Sequence, residues 1–562
     1  MKRLLSAVGR ETRGLHEAAY LLAALALASQ LLALVRDRLL AASFGASPTL
    51  DIYYAAFRIP DLLFATVASL LSIYALMPAL ARLESEHPGR AIAFMRQALL
   101  AFFVGMGALS LVLFFLTPLI IRIIAPGLAA DPASAAKLIL LARLLLLQPI
   151  LLGVSNILSN LTQIRNRFLL YSLSPLLYNL GIIFGIVALY PRFGIAGLGA
   201  GVILGALLHA AVQLPYFLQE KSDPIPLARG LTLLKEVLVL SVPRTLALAA
   251  TQVSLLALVA FASVLSAGSI SIFMFAYNLQ AVPFTIIGVS YAIAAFPTLA
   301  RLHAKGETKE FLRQIEAAVR HIIFWCTPAT IFIIVLRAQI VRTILGAGQF
   351  NWTATRLTAA ALALFILSLA AQSLSYLIAR AYYAAGNTKK PFYFGLADIA
   401  VSIGSAVLLV FAFHDLPLVR DFVESILRVD DIPDTTVLML ALGYALGSIA
   451  EFAVGMWYFV RDFSVPTRNI NRLLFQSFAA SVIGGGAAYG ILDLTGSYIN
   501  INRAISVFLQ GFVAGIVGLV VTAAALVLLK NKEIAEAIDA SRRKLKDIRR
   551  TTVAVEPTDI AS

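Results

Sequence analysis

Apolar residues along this chain gather into long runs, roughly 20 or more residues each, separated by short polar stretches. A bilayer core of ~30 Å needs about 20 apolar residues per crossing helix. Only helices and closed barrels satisfy their own backbone in lipid, and runs this long predict helices. The spans read at roughly 18–42, 51–80, 93–121, 134–158, 168–190, 194–218, 236–264, 269–300, 315–336, 355–384, 391–413, 436–460, 473–494 and 504–529. The fold class is therefore an all-α polytopic membrane protein with about 14 transmembrane helices. The first run, from about Ala18, is too long for a cleavable signal peptide and lacks a small-residue cleavage motif.

The polar stretches orient these spans. With the N-terminus inside, the inside segments carry 29 Lys and Arg residues. The outside loops carry seven, namely Arg122, Arg192, Arg337, Arg342, Arg420, Arg428 and Arg503. Basic residues favour the cytoplasmic side, so the split predicts both ends in the cytoplasm and an inner-membrane location. The long outside loop 414–435 is acidic, and its Leu418, Phe422, Val423, Ile426 and Leu427 are helically spaced. That pattern predicts a short amphipathic surface helix.

An internal repeat divides the spans. Met77-Pro78-Ala79-Leu80-Ala81-Arg82-Leu83 ends the second span, and Phe296-Pro297-Thr298-Leu299-Ala300-Arg301-Leu302 ends the eighth, 219 residues later. The expected organisation is a cytoplasmic segment 1–17, an N-lobe 18–218, a C-lobe 236–460, a leftover pair of spans within 473–529, and a basic cytoplasmic tail 530–562. Two pseudo-symmetric six-helix lobes are the frame of a transporter that holds its substrate between the halves and rocks between two openings. Two fused bundles acting as a membrane scaffold would carry the same repeat.

Composition narrows the function classes. The chain of 562 residues is 60% hydrophobic and 13% charged, with a net charge of +15. The basic residues sit between apolar runs, so they imply a membrane surface and not nucleic acid. Cys326 is the single cysteine, which excludes an intrachain disulfide and a CxxC site. No metal-ligand spacing and no nucleophile–base pair is visible, so the sequence predicts neither a metal, a cofactor nor an enzyme.

Charges inside spans are the candidate chemistry, because they are costly in lipid and usually face protein or water. They include Arg36, Asp37, Arg38, Asp51, Arg58, Asp61, Arg143, Arg244, Asp398 and Glu451. Arg36 lies roughly 10 Å or more below the outer end of its helix. It either faces a cavity, snorkels outward, or pairs with Asp51. Asp37 and Arg38 point elsewhere and are expected to pair with neighbouring spans. Arg58, beside Pro60, marks a kinked helix. Arg244 follows Pro243 and suits either substrate or headgroup contact. Gln252 and Asn278 lie on the two spans that mirror spans one and two. The candidate cavity residues are thus Arg36, Asp51, Arg58, Arg244, Gln252 and Asn278. Guanidinium groups suit a pyrophosphate because they donate paired, coplanar hydrogen bonds.

Several segments carry a resemblance. The main one is Leu34-Val35-Arg36-Asp37-Arg38-Leu39-Leu40-Ala41-Ala42-Ser43-Phe44-Gly45-Ala46, followed by Asp51-Ile52-Tyr53-Tyr54-Ala55-Ala56-Phe57-Arg58-Ile59-Pro60-Asp61. Pro243-Arg244-Thr245-Leu246 and Leu345-Gly346-Ala347-Gly348-Gln349-Phe350 support it. Across nearly its whole length the chain resembles the MurJ/MviN family of lipid-linked oligosaccharide flippases, within the group that includes MATE-type exporters. The resemblance implies fourteen helices in two lobes around a V-shaped cavity. It implies flipping of lipid II, an undecaprenyl-pyrophosphate glycolipid, driven by membrane potential or a coupled cation. It also implies that the last two spans form a groove for the lipid tail. The family's first-span arginine falls here at Gln30, its second-span arginine pair at Phe64 and Ala65, and its following glutamate at Ser69. Its eighth-span arginine and glutamate fall at Asn278 and Ala281. A flippase for another polyprenyl-linked sugar, a MATE-like antiporter and a scaffold are the alternatives.

Overall fold

A computed structural model describes residues 15–71, 73–165, 167–463, 470–496 and 504–536. Most of the segment 1–17, Arg503 and most of the tail 530–562 lie outside the described residues. The described residues contain no strand. The helices are α1 (Leu15–Phe44), α2 (Pro48–Ala56), α3 (Arg58–Thr66), α4 (Ile73–Glu86), α5 (Pro88–Ile124), α6 (Pro126–Ala130), α7 (Pro132–Leu145) and α8 (Leu147–Ile164). They continue as α9 (Phe168–Phe184), α10 (Tyr190–Phe193), α11 (Ile195–Ala211), α12 (Leu214–Gln219), α13 (Leu227–Ser263), α14 (Ser269–Phe284), α15 (Ser290–Ala304) and α16 (Thr308–Leu345). The chain finishes with α17 (Trp352–Ile366), α18 (Leu369–Ala384), α19 (Lys389–Asp415), α20 (Pro417–Leu427), α21 (Val437–Phe463), α22 (Ile470–Gly496) and α23 (Ala504–Leu528).

Eleven helical stretches among the described residues are long and apolar enough to cross a membrane, and the broken pair α17–α18 makes twelve. The first and seventh expected spans coincide with α1 and α13, of 30 and 37 residues. The count is thus consistent with fourteen. Membrane residence also shows in the burial pattern, which is polar inside and apolar outside. Leu100, Phe115 and Ile123 of α5 are more than 60% exposed, whereas Asp37, Asp51, Arg58 and Asp398 are at most 5% exposed.

Several spans are not the continuous rods that the apolar runs predict. The second breaks at Phe57 and again at Val67, passing through a 3₁₀ turn at Ala68–Leu71. Pro60 explains the first break, because it has no N–H to bond the Ala56 carbonyl four residues earlier. π-helical turns interrupt the fifth span at Gly185–Leu189 and the eighth at Thr285–Val289, just after Pro283. The predicted surface helix forms as α20. Its Leu418, Phe422 and Ile426 are exposed and its Leu427 is buried.

The helices group into two compact units. The first comprises residues 1–282, 341–368 and 386–455, and the second comprises 283–340, 369–385 and 456–562. In the first unit, α9 and α11 meet through glycines. A Cβ on Gly185 would stand 2.6 Å from the Cα of Gly201, and Gly181 faces Gly205 in the same way. Small residues let backbones approach closely, which is how membrane helices gain packing without a hydrophobic drive. Gly201→Leu should therefore force the pair apart at a cost of about 2–3 kcal/mol or more. A lowered melting temperature of the detergent-purified protein checks this, and an unchanged melt would refute it.

In the second unit, α22 and α23 pair closely and pack on α16, with Phe332 against Ala488 and Ala514. A polar clasp closes one end of this group. Arg320 bonds Glu533, Asn531 Nδ2 donates to Gln476 Oε1 at 3.1 Å, and Gln476 Nε2 donates to the Leu529 carbonyl at 2.8 Å. The two leftover spans therefore form one body with the ninth.

Candidate functional site

The polar centre of the first unit is built from helices far apart in sequence. Arg36 and Asp37 sit on the C-terminal half of α1. Arg36 Nη1 donates to Asn179 Oδ1 of α9 at 3.0 Å. Its Nε and Nη2 both donate to Asp37 Oδ1, at 3.0 and 2.8 Å. The other oxygen of Asp37 accepts from Asn278 Nδ2 of α14 at 3.2 Å. Arg36 and Asp37 together thus join the first, fifth and eighth spans. Its side chain is 6% exposed, while that of Arg36 keeps 21% open. The guanidinium is held in a fixed plane, on a side chain that is not fully enclosed. Charge-assisted bonds of this kind are both strong and geometrically defined.

Beside this cluster lies an aromatic wall on the broken second span. Tyr53 packs edge-on to Tyr54 and Phe57, and Tyr54 packs on Phe275. Arg58 pairs with Asp61 at 3.1 Å, and its Nε donates to the Tyr54 carbonyl. Arg58 is 5% exposed, and its Nη1 has no hydrogen-bond partner among the described residues; nor does the Tyr54 hydroxyl. Orphaned buried donors are rare, so this corner has unused capacity for an anionic group.

A second acidic pair lies deeper in the unit. Asp398 of α19 accepts from Ser254 Oγ at 2.7 Å and from Ser402 Oγ at 3.2 Å. Glu451 of α21 is close enough to interact with it electrostatically. Tyr277 and Tyr444 stack edge-on in the same unit.

Two of the expected placements change. Arg36 does not pair with Asp51. Asp51 is 3% exposed and caps the N-terminus of α14. Its Oδ2 accepts from Gly268 N–H at 2.6 Å, and its Oδ1 accepts from Ser271 N–H at 2.7 Å and from Ser271 Oγ at 2.6 Å. A carboxylate at a helix N-terminus meets unpaired N–H groups and the positive end of the dipole, which is why it seals there. Asn278, expected to line a cavity, is tied to Asp37. Gln252 is half-buried on α13, while the side chain of Arg244 lies outside the described residues.

Asp51 belongs to a latch at one end of the bundle. Gln349 N–H donates to the Ala42 carbonyl at 2.9 Å. Arg38 Nη1 donates to the Thr343 carbonyl at 2.6 Å, capping the C-terminal end of α16. Gly45, at φ 61°, admits the Gln349 carbonyl so closely that a Cβ would lie 2.7 Å from it; Gly268, at φ 90°, does the same for the Ala46 carbonyl at 2.8 Å. These left-handed glycines allow backbones of the first and second repeats to touch.

Sequence reasoning set Asp37 aside and did not foresee it as the bridge of the cluster. Asn179 is not among the candidate cavity residues either. The signal for both was their depth in the membrane, where a polar group needs a partner.

Comparison with known proteins places this architecture. A sequence profile described as lipid II flippase MurJ matches residues 40–509. A lipid II flippase MurJ of Burkholderia cenocepacia is 26% identical over 389 residues, covering 67% of this chain and 74% of that one. A probable lipid II flippase MurJ of Bdellovibrio bacteriovorus is 28% identical over 422 residues, covering 72% and 78%. Among solved structures, a lipid II flippase MurJ in an inward closed conformation superposes with a TM-score of 0.71 at 20% identity, covering 90% of this chain and all of that one. An inward-facing MATE family multidrug transporter of the MOP superfamily gives 0.62 at 15% identity, covering 78% and 94%. These structural likenesses concern the fold.

Proposed function

The chain belongs to the MurJ family of lipid II flippases, and from that premise we propose that it carries lipid II across the cytoplasmic membrane by alternating access. The observation that carries the reading is the profile match over residues 40–509, combined with a fixed, partly open guanidinium at the polar centre. Arg36 binds the pyrophosphate of the lipid. Arg58, with its free Nη1, gives a second donor as the broken second span moves. Most of the family's other cavity arginines are absent here, so these two groups carry more of the headgroup charge.

With the N-terminus inside, the latch of Asp51, Gly45 and Gln349 lies at the outer end of the bundle. Its hydrogen bonds then hold the outer side shut, and the headgroup enters from the cytoplasm. Opening the outer side requires the Asp51–α14 cap and the Gln349–Ala42 bond to part together. Coupling comes from the membrane potential or a cation. Asp398, which bonds two hydroxyls, and Glu451, which bonds no side chain among the described residues, are the carboxylates best suited to hold such a cation.

Complementation tests the reading. Expression of this chain should restore growth to cells depleted of their own lipid II flippase. Failure to rescue, with the protein present in the membrane at normal levels, would reject lipid II as the substrate.

A further inference from the structure

Away from the polar centre, a groove of about 610 Å³ lies on the side of the first unit. Phe114 of α5 forms one wall, with Ile139, Leu140, Leu144 and Leu147 of α7 and α8 forming the other; Arg143 is its one charged side chain. Phe114 stands four residues before Pro118, which has no N–H to give, so the Phe114 carbonyl loses its helical partner. Arg143 Nε donates to that carbonyl at 3.0 Å, and the guanidinium lies 4.5 Å from the Phe114 ring centroid. Only Nε is used in this way. The two Nη groups have no partner among the described residues, and the side chain lines the groove.

The position makes this unusual. Arg143 follows Pro132 by eleven residues and Lys137 by six, so it lies roughly 9 Å further along the helix than Lys137. A bare charge at that depth, against apolar walls, is costly. The Cα–Cβ bond leans toward the helix N-terminus, which directs the guanidinium back toward the nearer membrane surface. An anionic group drawn down from that surface would meet a planar pair of free donors, the arrangement that phosphate oxygens fit.

We propose that this groove binds one anionic phospholipid, with its phosphate on the Arg143 Nη groups and an acyl chain along α7. The free guanidinium donors among apolar walls favour an anionic lipid over an apolar partner helix. The groove's lining runs from Ala136 of α7 to Leu147 of α8, roughly 17 Å, a length an acyl chain can follow. The site is separate from the polar centre and would act as an annular lipid clamp between the third and fourth spans.

Photolabelling of the purified full chain in nanodiscs tests the proposal. The probe is phosphatidylglycerol with a photoactivatable acyl chain, and the readout is labelling of the peptide covering residues 136–147. Arg143→Gln should lower that labelling by about tenfold, and Arg143→Lys, which keeps the charge but not the planar pair, by a smaller factor. A diacylglycerol probe lacking phosphate should also label about tenfold less. Millimolar inorganic phosphate should not compete, because the acyl chain supplies much of the binding. If Arg143→Gln proves unstable, Leu140→Trp fills the groove, keeps the Arg143–Phe114 bond and should abolish labelling. Equal labelling of wild type and these variants would overturn the proposal. So would equal labelling by diacylglycerol, or efficient cross-linking of two copies through Leu140→Cys, which would make the groove a protein interface.

Discussion

Cells that depend on this chain for their flippase should stop growing when Arg36 is replaced by alanine. The argument starts from what Arg36 holds. Its guanidinium makes three hydrogen bonds, two to Asp37 and one to Asn179. Alanine removes all three and leaves the Asp37 carboxylate, 6% exposed, with the neutral Asn278 amide as its remaining partner among the described residues. Stranding a buried charge costs about 3–5 kcal/mol. It also removes the cation proposed to meet the pyrophosphate. A loss of even about 3 kcal/mol in the transport step lowers its rate by more than about 100-fold.

Two companion variants separate chemistry from folding. Arg36→Lys keeps the charge but cannot reach Asp37 and Asn179 with one planar group, so it should transport weakly. Asp37→Asn keeps the shape and releases the guanidinium from its ion pair. Growth curves, read beside membrane levels by immunoblot, check all three. Full rescue by Arg36→Ala at normal levels would remove Arg36 from the transport path.

The second large effect concerns Asp51. Asp51→Ala should lower the melting temperature of the purified protein markedly and expose the latch end to water. The carboxylate satisfies the N–H groups of Gly268 and Ser271 and the Ser271 hydroxyl, all buried. Leaving two buried N–H groups without an acceptor costs about 1–3 kcal/mol each. Asp51→Asn should be nearly as harmful, because its amide turns a donor toward one of those donors. Ala46→Cys, on the loop that Gly268 approaches, reports the opening. In the Asp51→Ala background it should react faster with a membrane-impermeant maleimide. An unchanged melt and unchanged labelling would show that the cap does not hold this end closed.

These two residues also show how far the sequence could be read. Both were visible as charges in apolar runs, because a charge among twenty apolar residues stands out without any knowledge of its neighbours. Their roles were not legible. Arg36 and Asp51 are 15 positions apart and read as a possible ion pair, yet each finds partners more than 140 residues away, apart from the neighbouring Asp37. The second span read as one helix, and Pro60 signalled a kink but not a full break at Phe57. Arg143 was legible as a charge in the fourth span, but not as the donor to a carbonyl freed by Pro118 on another helix.

By itself the sequence determined that the chain is a helical membrane protein with a repeated architecture. Hydrophobic run length and the placement of basic residues are local quantities, and a bilayer reads them segment by segment as each helix forms. The family also followed from the sequence, through the motif around Arg36 and Asp51. Only the tertiary structure decided which charges serve the polar centre, which serve the latch, and which face lipid. A charge in the membrane takes its meaning from the group opposite it, and that group lies on whichever helix face the packing turns inward. Close approach through Gly45, Gly268 and the glycines of α9 and α11 sets those faces. No local window of residues contains that information.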